Sequence, residues 1–354
     1  MDKHYCVTGL MSGSSLDGID LACCTFSYDQ DKWNYKILEA ETFPYPPLLQ
    51  QKLHQAIEWS RPALERLDRE IGIYFGSVLN QFHSDHGLKP DLISSHGHTI
   101  FHDPSNKITL QIGDGRLMAG ATGITVVNNF RSEDVSLGGQ GAPLVPVGDK
   151  LLFEEYGACL NLGGFANISY DEDSGRRIAF DIGPANMALN WLANQEGKPF
   201  DHEGSLARSG QAETKLLQAL NNLEYYSVPA PKSLGKEWFE ERFKPLLENA
   251  DIPLSDKMAT VVEHVAIQTG KGILNSRANS VLVTGGGALN TYLVEKIKKQ
   301  TIANLVLPDR LLIEFKEALI FALLGLLRIL GEVNCLSSVT GGSRDLSTGH
   351  IYLP

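Results

Sequence analysis

One aspartate and three glycine-rich turns are the groups in this sequence best equipped for chemistry. Asp181 closes an apolar strand in Ala-Phe-Asp-Ile-Gly-Pro-Ala-Asn. A carboxylate at the C-terminal end of such a strand projects toward a ligand crevice, where it can take a proton from an attacking oxygen. The alternative is an N-cap or Asx-turn aspartate for the helix expected after Gly183-Pro184. The first turn, Gly9 to Asp20, reads Gly-Leu-Met-Ser-Gly-Ser-Ser-Leu-Asp-Gly-Ile-Asp. Gly13 and Gly18 permit close approach and unusual dihedrals, while Ser12, Ser14 and Ser15 add hydroxyl donors. Such a turn can hold phosphate without the lysine of a P-loop. Gly163-Gly164, flanked by Asn161 and Asn167, is of the same kind. Gly285-Gly286-Gly287 follows Val-Leu-Val-Thr and precedes a helix expected to start at Ala288, which would bring backbone to a ligand at a helix N-terminus. Asp17 and Asp20 are candidates to hold Mg²⁺ through waters, since that ion keeps much of its hydration, or are ordinary turn acids.

Five histidines, His83, His86, His96, His98 and His102, raise a zinc reading, with His96 and His98 on one strand face. No cysteine or carboxylate spacing of a zinc site accompanies them, which favours His98 as a polar residue lining a cleft. Arg131 and Glu317 are single charges beside apolar runs, either substrate contacts or solvated ends.

The elements that must position these groups follow from pattern. Tyr5–Leu10 and Ile19–Phe26 form a hairpin around the first turn, and Tyr35–Phe43 forms a third strand ended by Pro44. Leu48–Trp59 and Pro62–His86 read as helices, the second with Leu64, Leu67, Ile71, Phe75, Val78 and Leu79 at three- and four-residue steps. Strands are expected at 91–102, 108–112 and 124–128. The run Gly138-Gly139-Gln140-Gly141-Ala142-Pro143 reads as a hinge or boundary. The second half repeats the plan: strands at 157–162 and 165–170 around Gly163-Gly164, a strand at 177–181, a long helix at 256–276, and a strand at 280–284 ending in glycine. The expected division is residues 1–133 with 335–354 as one domain and 134–334 as the other.

A chain of 354 residues is long enough for two such domains with filled cores. A formal net charge of −11 argues against nucleic acid or an anionic membrane as main partner. The start, Met-Asp-Lys-His, does not read as a secretory leader. The apolar window Ala318–Leu327 is too short to span a bilayer and reads as a buried helix. Five cysteines without metal spacing fit reduced, buried thiols in a cytoplasmic protein. A dinucleotide fold would place a helix after its glycine turn, but Ile-Asp-Leu-Ala-Cys-Cys is strand-like. No Gly-x-x-x-x-Gly-Lys-Ser/Thr occurs. Two α/β halves with glycine turns facing one cleft are what an actin-like, sugar-kinase-like ATPase requires.

With these pieces in place, the sequence resembles the anhydro-N-acetylmuramic acid kinase family almost end to end. The resemblance rests on Met-Ser-Gly-Ser-Ser-Leu-Asp-Gly-Ile-Asp (11–20), Ser-His-Gly-His-Thr-Ile (95–100), Leu-Gln-Ile-Gly-Asp (110–114) and Val-Asn-Asn-Phe-Arg (127–131). Further along it rests on Gly-Gln-Gly-Ala-Pro-Leu-Val-Pro (139–146), Asn-Leu-Gly-Gly-Phe-Ala-Asn-Ile-Ser (161–169), Phe-Asp-Ile-Gly-Pro-Ala-Asn (180–186) and Thr-Gly-Gly-Gly-Ala-Leu-Asn (284–290). Two departures are Ser14 in place of Thr and His98 in place of Gln.

The resemblance implies a two-domain actin-like fold of ribonuclease H-like repeats with the nucleotide in the cleft between domains. It implies ATP with Mg²⁺, a small anhydro-amino-sugar substrate and a homodimer. Water would attack the anomeric carbon, and the freed sixth-position oxygen would take the γ-phosphate, giving N-acetylmuramic acid 6-phosphate in cell-wall recycling. Gly13, Ser14, Ser15, Leu16, Asp17, Gly18, Ile19 and Asp20 would bind the nucleotide with Gly163, Gly164, Gly285, Gly286 and Gly287, Asp17 serving the metal. Asp181 would be the catalytic residue. Arg131, Gln140, Glu317 and His98 would contact the sugar. The rivals are a kinase for another anhydro-sugar such as levoglucosan, and an actin-like ATPase without small-molecule chemistry.

Overall fold

The computed structural model describes residues 4–354 apart from Ser14, Ser15, Asp17 and Pro231. It divides into two compact units, one made of residues 1–152 and 315–354, the other of residues 153–314. Each unit is built on its own mixed β-sheet with helices packed against it, a two-unit α/β plan.

In the first unit, β1 (His4–Ser12), β2 (Ile19–Asp29) and β3 (Lys32–Phe43) form an antiparallel meander, with Leu10 opposite Leu21. On the other side of β1 runs β4 (Leu92–Asp103), parallel to it. β4 in turn carries β6 (Val126–Asn128) in parallel and β5 (Ile108–Ile112) antiparallel. The strand His350–Tyr352 closes the edge beside β6. Most of β1 is buried on both faces, as its near-continuous apolar run requires. One face packs Leu10, Leu21 and Ile93 against Leu67, Ile71 and Phe75 of the helix Arg61–Asp85. Toward the other lies the helix Arg310–Leu330. Gly9 allows this approach, since a Cβ there would overlap the carbonyl of Ala318, and Ser94 Oγ donates to the carbonyl of Phe321 at 2.5 Å. The apolar window Ala318–Leu327 is thus a buried helix segment. β3 alternates half-buried Trp33, Tyr35 and Ile37 with exposed Lys32, Asn34 and Lys36, the charge pattern that protects a sheet edge.

The second unit repeats the order. β7 (Ala158–Leu162), β8 (Phe165–Asp171) and β9 (Arg177–Pro184) are an antiparallel meander, and β10 (Ser280–Thr284) and β11 (Asn304–Val306) follow in parallel beyond β7. The helix Leu254–Ser276 presents Met258, Val261, Val262, Val265 and Ile273 to Leu160, Leu162, Ile168 and Ile182. The similarity of plan read from the two halves is therefore a repeated strand order with repeated strand senses.

Three local expectations are corrected. The glycine run 138–141 is not where the units divide. The buried Asp134 carboxylate accepts from the amide of Gly141 at 2.7 Å and from Thr340 Oγ1 at 2.9 Å, and Gln140 N donates to Thr340 O at 2.8 Å. These bonds tie the run to residues near the end of the chain, all within the first unit, so the division falls after Leu152. The unit regains the chain at Phe315 rather than 335, because the helix covering β1 belongs to it. Finally, the α-helix after the triple glycine starts at Thr291, behind a short 3₁₀ turn at Gly286–Leu289, with Asn290 as its N-cap.

All five cysteines are free thiols, and among the described residues no helix is long and apolar enough to cross a membrane.

Candidate active site

Asp181 lies on β9 three residues before the strand ends, since the extended backbone continues through Gly183-Pro184. The following helix, Asn186–Asn194, has Ala185 at its N-cap position, so the N-cap reading of Asp181 does not hold. The pairing of β8 and β9 shifts register here: Asn167 faces Asp181 and Ala166 faces Gly183, which leaves Ile182 as an extra residue. Irregularities of this kind re-aim neighbouring side chains. One carboxylate oxygen of Asp181 accepts from the amide of Leu234 at 2.9 Å. Burial pushes the carboxyl up to about 6, against the pull of that amide. A carboxylate titrating near 6 is a far better base at neutral pH than an ordinary aspartate.

The two glycine turns of the second unit come together with the start of that helix. Gly163 O accepts from Asn186 N at 3.1 Å, and Gly164 O accepts from the amides of Ala185 and Met187 at 2.8 and 3.1 Å. Asn186 Nδ2 donates to Leu162 O at 2.9 Å. Gly285, at φ +81°, and Gly287 press on Asn161 and Leu162, where a Cβ would overlap. Gly286 and Gly164 are different, because a Cβ would find nothing closer than 3.7 and 3.9 Å respectively. Packing explains two of the three consecutive glycines, and the middle one borders open space. A backbone surface free of side chains suits a polyphosphate chain.

In the first unit, Gly18 packs on the carbonyl of Phe43, and Ile19 is fully buried. Leu16, at φ +59°, has its carbonyl held by Gln50 Nε2 at 2.8 Å and bonds back to Gly13 O at 3.4 Å. Asp20 Oδ1 accepts from Thr42 Oγ1 at 2.6 Å. Ser14, Ser15 and Asp17, and with Asp17 the expected metal contact, lie outside the described residues. Asp20 is then the described carboxylate of this turn. No group of three or more metal-type side chains occurs among the described residues. A hydrated magnesium ion does not need one, as a single carboxylate and phosphate oxygens suffice.

The expected sugar contacts cluster in the same unit. Arg131 donates from Nε and Nη2 to His96 Nε2 at 3.1 and 2.8 Å and from Nη1 to Gly141 O at 2.6 Å. These bonds use three of its five N–H groups. Burial draws its guanidinium down to about 10, with Glu317 pushing the other way. The Glu317 carboxyl is raised by burial, lowered by Lys316, raised by Asp20 and lowered by Arg131. Beneath it, Lys316 Nζ pairs with Asp149 at 2.7 Å, both side chains being about 5% exposed. Gln140 is exposed on the loop that Asp134 organises. His98 Nδ1 meets Ser12 Oγ at 2.8 Å, and that hydroxyl also bonds Tyr45 at 2.6 Å. Burial takes His98 down to about 4, so it is neutral at pH 7.

The histidines do not converge on a metal. His83 pairs with Thr8, His86 with Glu41, His96 with Arg131, His98 with Ser12 and His102 with Thr109.

Comparison with known proteins fits this geometry. The family profile described as anhydro-N-acetylmuramic acid kinase matches residues 5–354. The chain belongs to the anhydro-N-acetylmuramic acid kinase family. Among curated anhydro-N-acetylmuramic acid kinases, that of Pasteurella multocida is 35% identical, covering 97% of this chain and 96% of its own length. That of Vibrio cholerae is 33% identical over 100% of both chains, and that of Xanthomonas axonopodis pv. citri is 36% identical over 97% of each.

Several residues of this family member escaped sequence reading. From sequence alone His96 is a candidate metal ligand, whereas in the structure it holds Arg131. Asn186 joins both glycine turns, and its place at the end of Phe-Asp-Ile-Gly-Pro-Ala-Asn was the available signal. Asp134, Asp149 and Lys316 carry no local signal, being charges whose partners lie far along the chain.

Proposed function

We propose that the chain is an ATP-dependent kinase acting on 1,6-anhydro-N-acetylmuramic acid, opening its anhydro ring with water and giving N-acetylmuramic acid 6-phosphate for cell-wall recycling. The observation that carries this reading is Asp181, a carboxylate that burial pushes up to about 6, held on the strand that leads into the helix whose start bonds to Gly163 and Gly164. Asp181 takes a proton from water as the water oxygen bonds to the anomeric carbon. The bond from that carbon to the bridging oxygen breaks, and the freed sixth-position oxygen is the phosphoryl acceptor. Because the leaving oxygen is itself the acceptor, one base suffices where a glycosidase uses two carboxylates.

ATP supplies the γ-phosphoryl group, and Mg²⁺, held through water by Asp20 and Asp17, would neutralise charge on the phosphates. In the second unit, Gly163, Gly164 and Gly285 to Gly287 offer a backbone surface to the nucleotide phosphates, and in the first unit the turn that ends at Asp20 is the candidate phosphate contact. Arg131 supplies the cation that a lactyl carboxylate needs, and Glu317, Gln140 and His98 bind the remaining polar groups of the sugar. The working form is a cytoplasmic homodimer, which light scattering of the purified protein tests.

Turnover in heavy-oxygen water decides the chemistry. The sugar phosphate should carry one heavy oxygen at its anomeric position. Phosphorylation without label would remove water from the reaction, and ADP release indifferent to the sugar would remove the sugar kinase reading.

A further inference from the structure

β9 is an edge strand, the last in the order β11-β10-β7-β8-β9. The outward N–H and C=O groups of such a strand have no ladder partner. At Asp181 these groups are nonetheless satisfied, and by residues that belong to no strand. Its amide donates to Lys232 O at 3.0 Å, and its carbonyl accepts from Tyr225 Oη at 2.5 Å. Its carboxylate accepts from Leu234 N at 2.9 Å. All three polar functions of one residue are thus gripped from outside the sheet. The grip is itself braced. Lys232 Nζ donates to Tyr225 O at 2.9 Å and stands 4.4 Å from the centre of the Tyr225 ring. Beside it, Tyr226 Oη bonds His264 Nε2 at 2.8 Å and sits where a Cβ on Gly183 would fall.

We propose that Tyr225, Lys232 and Leu234 are positioning residues for Asp181, fixing both the direction of its carboxylate and how much water reaches it. The inference rests on Asp181 being the base of the reaction above. Two opposed effects act on that carboxylate. Covering the carboxylate disfavours its charged form, whereas the Leu234 amide favours it. Separating them gives shifts of opposite sign. The other titratable groups around Asp181 in this unit are the phenols of Tyr225 and Tyr226, the Lys232 ammonium and the His264 imidazole. Burial drives both phenols far up and His264 down to about 3, so none of the three changes charge between pH 5 and 8.

The experiment compares Tyr225→Phe and Leu234→Pro with the parent in the acid limb of kcat/KM. Tyr225→Phe keeps the ring and loses the bond to the Asp181 carbonyl, so hydration increases and the limb moves down, by about one pH unit. Leu234→Pro deletes the amide donor, so the limb moves up. In both, kcat falls roughly ten- to a hundred-fold from misorientation of the base, and direct ATP binding is unchanged. Carbon-13 NMR titration of the Asp181 carboxyl, assigned by Asp181→Asn, reads the same shifts without turnover. Unmoved titration in both folded variants would overturn the inference. If Asp181→Asn instead retains parental turnover, the base assignment fails, while the NMR shifts still decide whether these residues govern the carboxyl.

Discussion

A single nitrogen of His96 holds the Arg131 guanidinium: Nε2 accepts from Nε at 3.1 Å and from Nη2 at 2.8 Å. Accepting on Nε2 places the ring proton on Nδ1, which faces the carbonyl of Gly97 at 3.0 Å. Burial, reinforced by the neighbouring arginine, keeps this imidazole neutral well below its ordinary range. His96→Phe removes the acceptor while keeping a ring against Phe321, whose centre lies 4.7 Å from that of His96. A hydrogen bond to a charged group is worth about 1.5–3 kcal/mol. Steady-state kinetics should therefore show KM for the sugar raised roughly ten- to a hundred-fold, with KM for ATP unchanged. His96→Gln, which offers an amide oxygen, should recover part of the loss.

Asp181→Asn preserves size and the bond from the Leu234 amide but cannot take a proton. Turnover should fall by about 10²–10⁴, the range of a general base, with nucleotide affinity retained in calorimetry. In the parent, kcat/KM should decline below about pH 6 as this carboxyl protonates. The variant's residual rate should lack that limb.

The three consecutive glycines should separate by role. Gly285→Ala introduces a side chain at φ +81° against Asn161, and Gly287→Ala places a Cβ 2.7 Å from that of Leu162. Both should lower the melting temperature, each by about 1–3 kcal/mol of stability. Gly286→Ala meets nothing closer than 3.7 Å, so its melting temperature should stay near that of the parent. It should instead weaken ATP binding, which thermal shift with and without nucleotide will show.

Acid should unfold the protein through buried histidines. Burial holds His83 and His98 down at about 4 and His264 at about 3, against an ordinary value of 6.5. The folded state then binds fewer protons than the unfolded chain below pH 6.5. Their contribution to stability is complete above that pH and is lost as pH falls toward the folded values. Asp181 acts in the opposite sense, because its raised carboxyl takes up a proton on the folded side between about 6 and 3.8. Denaturant midpoints measured from pH 7 to 4 should fall steeply, and His98→Gln should flatten that fall.

The repeated plan of glycine-turn hairpin, long helix and apolar strand is legible because glycine turns and apolar runs are local signals, whereas the strand order within each sheet is not. Asp181 was legible for the same reason, as a charge set in an apolar run. The partners that give these residues their properties were not. Arg131 meets His96 across 35 residues of chain, and Leu234 meets Asp181 across 53. The glycine run at 138–141 looked like a boundary because flexible composition was visible and the buried Asp134 that ties it down was not. Lys316 and Asp149 were likewise silent, since a buried ion pair is read only when both ends are seen.

The first unit is discontinuous, made of residues 1–152 and 315–354, whereas the second is one unbroken stretch. During synthesis the chain leaves the ribosome from its N-terminus. The second unit can close its core while the first sheet still lacks the helix segment that Gly9 and Ser94 await. Until translation delivers that segment, this face of β1 has no helix to cover it.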